Sequence, residues 1–199
     1  MQGQKLTVIH YEPDPFLPMT NTKGAFALLG VAAAVSEGKT LVKEKGLSDP
    51  AIAITRALAS RLDGRYHFNA VNLLPEARPY ESDPKDVSAM ADNQGVVLDV
   101  RTFGWGTQYY PFKTRYKVNY FAQARLISAS EGRLISTERC TINEPYSENA
   151  PTYDQLMDND AALLKQKLAE AQTECVKQFT AKMASGPGQV ADNTATTDR

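Results

Sequence analysis

Residues 116–142 read YKVNYFAQARLISASEGRLISTERCTI, and this stretch decides the fold. Up to Leu126, apolar residues alternate with polar ones, which is typical of a strand with one buried face. Phe121 is the exception, because it falls among the polar positions. The segment SASEGR predicts a hairpin turn, since Gly132 tolerates a positive φ. Leu134–Ile142 then returns as the antiparallel partner strand.

Upstream of this hairpin, three runs of β-branched and apolar residues predict strands. They are Lys5–Tyr11, His67–Leu74 and Gly95–Phe103. Residues 12–22 carry Pro13, Pro15 and Pro18 and therefore predict an extended connection.

Three main helices are predicted. Small residues over 24–37 indicate the first, and Ser48-Asp49-Pro50 begins the second, with Ser48 capping and Gly64 ending the helix. Thr152 and Gln155 have the spacing of a capping box for the last helix, which we expect to run to Met183. Its apolar stripe is Leu164, Leu168, Ala171, Cys175 and Phe179. A short helix is also indicated at 84–90.

The predicted order β-α-α-β-β-β-β-α indicates an α+β fold. We expect a two-layer sandwich with a mostly antiparallel sheet and the helices on one face. Residues 1–184 form a single domain in this interpretation. The segment 185–199, SGPGQVADNTATTDR, has Val190 as its only large apolar side chain and predicts a disordered C-terminal tail.

Composition narrows the classes of function. Apolar residues make up 42% of the 199 residues, which excludes disorder of the whole chain. The 22 basic and 23 acidic residues nearly cancel and form no basic run, which argues against nucleic-acid binding. The longest apolar stretch, Ala25–Val35, is too short to span a membrane. It predicts a close-packed buried helix, or alternatively a membrane-associated or oligomer-contact helix.

The two cysteines lie on elements that follow one another along the chain. Cys140 falls near the end of the last strand, and Cys175 falls on the buried stripe of the last helix. Packing of this helix on that strand would bring the thiols together, so we predict a disulfide, which implies an oxidising compartment. The alternative is a pair of unrelated buried thiols.

No pattern of catalytic or metal-binding residues emerges from the sequence, so we predict neither a catalytic residue, a metal nor a cofactor. The two histidines, His10 and His67, fall within predicted strands and have structural interpretations. Asp83 with Asp86, and Asp158 with Asp160, are interpreted as helix-capping and helix-dipole residues. Asp99 is expected to face away from the core.

Residues 103–112, FGWGTQYYPF, combine five aromatic side chains with two glycines between two strands. The aromatic residues are Phe103, Trp105, Tyr109, Tyr110 and Phe112. One hypothesis makes them a contact surface for a partner protein, a glycan or a lipid head region. The other has the rings fold inward to close the open end of the core.

Three features together resemble a family of uncharacterised periplasmic lipoproteins of Gram-negative bacteria. They are Asp49-Pro50 at a helix start, VVLDVRTFGW at 96–105, and YKVNYFAQARLIS followed by Cys140 and a helical Cys175. At the level of the fold, the chain is similar to the TolB N-terminal domain and to transport-auxiliary lipoproteins. The resemblance implies a periplasmic protein, anchored to the outer membrane in its precursor through an acylated cysteine that this sequence lacks. It implies no catalytic residue.

These observations favour a non-catalytic binding or assembly module of the cell envelope. Its expected partner is an envelope protein or a cell-wall or lipid component, with membrane attachment only through that anchor. Two alternatives stay open. One is a hydrolase or transferase with a site built from scattered residues, and the other is a cytoplasmic structural protein with free thiols.

Overall fold

The hairpin predicted from residues 116–142 forms one end of a six-stranded sheet. The structure is a computed structural model that describes residues 1–19 and 27–183. The strands are β1 (Lys5–His10), β2 (Phe16–Pro18), β3 (Ala70–Leu73), β4 (Val96–Tyr109), β5 (Tyr116–Ser128) and β6 (Arg133–Asn143). The helices are α1 (Ala27–Glu44), α2 (Pro50–Tyr66), α3 (Pro84–Ala89) and α4 (Tyr153–Met183). The predicted start of the first helix and the predicted tail at 185–199 lie outside the described residues.

The sheet has the order β3-β1-β4-β5-β6, and β2 pairs with the second half of β4. The last three strands form the predicted antiparallel meander, with Ala122 opposite both Thr102 and Cys140. β1 runs parallel to β3 and β4, so the sheet is mixed. The α+β class is confirmed. β2 was expected to be only an extended connection, and its three residues pair at the edge of β4, where a proline is tolerated.

The main core lies between the sheet and helices α2 and α4. The predicted apolar faces of both helices are buried there, including Ile54 and Leu58 of α2 and Leu164 and Phe179 of α4. They meet the buried side chains of β1, β4 and β5. These strand residues include Leu6, Leu98 and Tyr120. The helical layer predicted from the sequence therefore forms.

One short helix lies on the opposite face. Strand alternation turns Val97 and Ile127 away from the main core, and both are apolar, so this part of the second face must also be covered. Helix α3 and the turn that follows it provide the cover, through Val87 and Ala91 respectively. The completed cluster also contains Ile9, Tyr11 and Ala129.

Two glycines allow β2 to fit between α1 and β4. A Cβ atom on Gly38 of α1 would overlap the carbonyl oxygen of Phe16, and one on Gly106 of β4 would overlap the carbonyl oxygen of Leu17. The backbones can approach this closely because glycine has no side chain. This close approach fixes the position of Phe16, which is 1% exposed.

Both ends of α2 are capped as predicted, but by different residues. The cap is Asp49 rather than Ser48, because the Asp49 carboxylate accepts a hydrogen bond of 2.9 Å from the Ala51 amide. The helix continues past Gly64 and ends at His67, whose φ of 51° is left-handed. His67 is therefore a helix cap and not a strand residue as predicted. Its amide donates to the carbonyl of Asp63 at 2.8 Å.

Helix α4 begins with the predicted capping box. The Gln155 amide donates to the Thr152 hydroxyl at 3.2 Å, and the Thr152 amide donates to the Gln155 side chain at 2.9 Å. The helix is then interrupted at residues 158–161, where Asp158 is extended and the next three residues are left-handed. Asp158 and Asp160 were expected to lie inside a continuous helix, and they lie instead on this interruption.

Among the described residues, no helix is both long enough and apolar enough to cross a membrane.

Candidate contact surface at the hairpin tip

The turn between β4 and β5 presents Phe112 to solvent. The Tyr110 amide donates to the Arg115 carbonyl at 2.9 Å, and the Lys113 amide donates back to the Tyr110 carbonyl at 3.0 Å. These bonds close the turn and hold Phe112 at a φ of 60°, a left-handed conformation that non-glycine residues adopt at a cost. The Phe112 side chain is fully exposed, at 103% of its reference area.

The five aromatic residues of 103–112 do not form one surface. Trp105 is 4% exposed, its indole Nε1 donates to the Asp14 carbonyl at 2.7 Å, and its ring meets Phe16 edge-on at 5.1 Å. Tyr109 is half-buried, and Phe103 is exposed on the second face of the sheet beside Phe121. A bulge between Thr102 and Gly104 takes Phe103 out of the alternation of inward and outward side chains along β4.

Tyr110 joins the hairpin to the loop 144–151. It is 7% exposed, and its hydroxyl lies 3.0 Å from the Glu144 carbonyl and 2.8 Å from that of Pro145, so it can donate to either. Its burial, and then the charge of Glu144, raise the pKa of the Tyr110 hydroxyl. The Tyr146 ring packs edge-on against Tyr110 at 5.2 Å. Tyr110 therefore supports the tip and does not itself offer a contact area.

We call Phe112, Lys113, Arg115 and Tyr146 the tip surface. Lys113 Nζ lies 5.2 Å from the centre of the Tyr146 ring, and Tyr146 is 44% exposed. Lys117 is the second residue of β5. Its Nζ lies 5.3 Å from the centre of the Tyr110 ring and donates a hydrogen bond to the Asn143 side chain. The tip surface thus combines two exposed aromatic rings with basic side chains. Of the predicted contact residues, only Phe112 belongs to it.

A cavity of about 540 Å³ lies behind the tip surface. The loop 144–151 forms one wall, and the interrupted start of α4 forms the other. Lys167 lies in the wall of the cavity, 3.2 Å from a Glu144 oxygen and 3.6 Å from a Glu170 oxygen. Partial burial acts to lower the pKa of Lys167, but these two carboxylates raise it above its ordinary value. The Lys167 charge is therefore matched within the protein.

The predicted disulfide is present between Cys140 of β6 and Cys175 of α4. The Cα atoms are 5.4 Å apart, and both side chains are fully buried. The bond ties the last helix to the outermost strand of the meander, because the stripe of α4 packs on that part of the sheet.

A buried polar cluster on the second face was not found by sequence reasoning. Asp99 faces away from the main core as predicted, but it is 1% exposed and forms an ion pair with Arg125. The Tyr11 hydroxyl donates to Asp99 at 2.6 Å, and burial followed by the charge of Asp99 raises the pKa of Tyr11. Arg125 also donates to the carbonyls of Glu81 and Ser82. Asp99 and Arg125 have opposite charges at polar strand positions, but this pattern indicates an ion pair only once the pairing of β4 with β5 is known.

Tyr11, Asp99 and Arg125 are not among the described residues whose buried side-chain atoms are without a hydrogen-bond partner. The cluster therefore has the arrangement of a structural anchor for Glu81 and Ser82. Within residues 1–19 and 27–183, no group of three or more His, Cys, Asp or Glu side chains could hold a metal ion.

No family model matches the chain, and no curated protein matches its sequence. Solved structures with related coordinates include a Xanthomonas campestris protein of family DUF330, at 18% identity over 93% of this chain and 89% of that one, with a TM-score of 0.42. A neuraminyllactose-binding hemagglutinin homolog from Helicobacter pylori has 11% identity, covers 92% and 86%, and also has a TM-score of 0.42.

A lipoprotein of Neisseria meningitidis has 16% identity, covers 81% of this chain and 96% of its own, and has a TM-score of 0.30. These likenesses are low, and no residue role is carried over from them. The resemblance to the TolB N-terminal domain stays a prediction.

Proposed function

We propose that this protein is a non-catalytic module of the bacterial cell envelope that docks on the head-group region of an anionic membrane through its tip surface, whereas the sequence predicted membrane attachment only through a lipid anchor. The observation that supports the docking is Phe112, a fully exposed aromatic side chain held outward by a closed turn. Single apolar surface residues are common, but Phe112 is 103% exposed and therefore has no packing role within the part of the chain that the structure describes.

The neighbours of Phe112 favour a membrane over a protein groove. Tyr146 carries an apolar ring with a polar tip, the kind of side chain that is enriched at the level of lipid head groups. Lys113 places positive charge beside the Tyr146 ring, and Arg115 and Lys117 follow Phe112 within five residues of the sequence. The acidic Glu144 beside them is bound by Lys167. Aromatic rings flanked by basic residues are typical of interfacial contacts.

The expected strength of this contact is modest. Each basic residue near an anionic surface contributes about 1 kcal/mol, and one buried phenylalanine contributes about 2 kcal/mol. Their sum supports reversible binding rather than stable anchoring. Such binding becomes effective when a second attachment, such as the acyl anchor implied by the family resemblance, keeps the protein at the membrane.

The compartment is supported by the buried disulfide between Cys140 and Cys175. Stable disulfides form and persist in oxidising compartments, and the periplasm is one of them. The periplasmic location and the absence of catalysis are both part of the proposal.

Vesicle flotation tests the docking. At a lipid concentration high enough for this reversible binding, we expect the full chain to float with phosphatidylethanolamine vesicles that contain phosphatidylglycerol, and to be released by high salt. Phe112→Ser should abolish flotation, and Lys113→Gln with Arg115→Gln should weaken it. The matched control is Phe103→Ser, which removes an exposed phenylalanine from the sheet face and should leave flotation unchanged.

Stability measurements separate docking from folding. Phe112→Ser should change the free energy of unfolding by less than about 0.5 kcal/mol, because its ring makes no buried contact. Trp105→Ala should cost about 3–5 kcal/mol, because it empties a core site. If the wild-type chain fails to float, or if Phe112→Ser floats equally well, the membrane is the wrong partner. Loss of envelope attachment by Phe112→Ser without vesicle binding would identify a protein partner instead.

A further inference from the structure

We propose that the cavity between the loop 144–151 and the start of α4 is a binding site for a neutral saccharide. This inference goes beyond membrane docking, because it concerns a separate ligand and separate residues. The volume of about 540 Å³ falls within the range of roughly 300–1,000 Å³ that small-molecule sites occupy.

The lining offers polar side chains that can accept and donate hydrogen bonds. Asn149, Asp158 and Asn159 line the cavity with side chains that are exposed to solvent, and within the described part of the chain these side chains form no hydrogen bond with protein groups. Amides both donate and accept, and a carboxylate accepts up to four hydrogen bonds. Closely spaced hydroxyl groups are the ligand chemistry that satisfies such a set.

The charges of the cavity favour a neutral ligand over an anionic one. Among the described residues, the one cation in its lining is Lys167, which is already paired with Glu144 and Glu170. Asp158 adds a negative charge at the rim. A phosphate or carboxylate ligand would meet this charge without an available counter-ion, so binding of such a ligand would be opposed.

The apolar part of the cavity lining also suits a sugar. Pro145, Ala150, Pro151 and Leu163 form apolar patches between the polar groups, with the ring of Tyr110 beside them. A saccharide presents C–H faces together with a hydroxyl edge. A mixed lining of this kind can cover both, whereas a purely apolar ligand would leave the amides without partners.

The backbone at the rim is held in a costly conformation. Asn159, Asp160 and Ala161 have φ values of 49°, 57° and 57°. This left-handed conformation is tolerated by Asn and Asp but costs an alanine roughly 1–2 kcal/mol. Ala161, which is fully buried, fixes this segment to the core. The interruption takes the side chains of Asp158 and Asn159 out of the helical repeat and places them on the cavity wall. Strained backbone of this type clusters at ligand sites.

Calorimetric and NMR titrations of the full chain test the site. The probes are maltotriose and tri-N-acetylchitotriose as neutral saccharides, with glucose 6-phosphate as the anionic comparison. We expect at least one neutral probe to bind and to shift the amide resonances of residues 147–159, and we expect the anionic probe not to bind there. Asn149→Ala combined with Asp158→Ala should weaken binding by about tenfold or more.

The control variant is Asp154→Ala, which removes an exposed carboxylate from the same helix without touching the cavity. It should bind the saccharide like the wild-type chain. Thermal unfolding confirms that both variants fold. The proposal is overturned if neither neutral probe binds at tens of millimolar, or if the double variant binds as tightly as wild type. Phe112→Ser should retain saccharide binding, so failure of this proposal is distinguishable from failure of the membrane contact.

Discussion

The guanidinium of Arg125 lies 2.7 Å from the carboxylate of Asp99, and both side chains are almost fully buried. The two residues face each other across β4 and β5, and Tyr11 completes their hydrogen bonds. A buried ion pair need not increase net stability over an apolar pair, but removing one partner leaves an uncompensated charge. The pair therefore makes the second face sensitive to single substitutions.

We expect Arg125→Met to lower the free energy of unfolding by about 3–5 kcal/mol. The double variant Asp99→Leu with Arg125→Met should recover much of that loss, because no charge is then left buried. Chemical denaturation of the three proteins measures the coupling. Additive losses in the double variant would contradict this account.

The glycines on either side of β2 make a second prediction. Gly38→Ala and Gly106→Ala should each destabilise the protein by more than about 2 kcal/mol, because the new methyl group would overlap the backbone of β2. Gly64→Ala is the control. Gly64 lies in α2 with nothing near its missing Cβ, so this change should stabilise by about 0.5–1 kcal/mol. Equal effects in all three variants would argue against the close approach.

The disulfide should contribute a few kcal/mol. Its cysteines are 35 residues apart, and closing a loop of this size stabilises by roughly 4 kcal/mol in the entropic model. We expect Cys140→Ser with Cys175→Ser to lower the unfolding free energy by about 2–4 kcal/mol. A reductant should destabilise the wild-type chain and leave this double variant unchanged. Detection of two reactive thiols in the denatured, unreduced protein would reject the disulfide and the periplasmic assignment with it.

Asp49 gives a prediction about pH. Burial of the carboxyl raises the pKa of Asp49 above its ordinary value of 3.8, although hydrogen bonds from Ala51 and Thr102 act in the opposite direction. A carboxyl whose pKa is raised by folding contributes stability that is complete below the unfolded pKa and is lost as the pH rises through the folded pKa. The ionised Asp49 is therefore a cost at neutral pH.

Asp49→Asn keeps the cap acceptor and removes this charge. We expect this variant to be more stable than the wild-type chain at pH 7, with a gain that shrinks toward zero as the pH falls toward 3.8. Asp83→Asn is the control, since Asp83 caps α3 with the same 2.9 Å bond at an exposed position. Denaturant unfolding across this pH range gives both differences. A gain that does not depend on pH would contradict the assignment to Asp49.

Several elements were predictable because local pattern alone specifies them. The alternation from Tyr116 to Leu126 predicted β5, and the turn at Gly132 predicted its antiparallel pairing with β6. The capping box at Thr152 and the stripe through Cys175 predicted α4. The disulfide followed from these two results, since a helix that comes directly after a strand in the chain has to pack on it to bury its stripe.

Of the tip surface, the sequence indicated only that aromatic residues gather at 103–112. Which rings point outward depends on the bulge after Thr102 and on the hydrogen bonds of Tyr110 to a loop more than thirty residues away. Tyr146 belongs to that loop and lies at the tip surface because its ring packs against Tyr110. The cavity could not be predicted, because the interruption of α4 at Asn159 breaks a helical pattern that is continuous in the sequence.

The sequence by itself determined the α+β class, the antiparallel meander and the disulfide, because each depends on periodicities or on elements adjacent in the chain. Only the tertiary structure decided that Asp99 is buried against Arg125, that β2 fits between Gly38 and Gly106, and that Phe112 rather than Trp105 faces the solvent. These outcomes depend on contacts between distant segments. The residues next to a position in the sequence do not indicate which distant segment that position will contact.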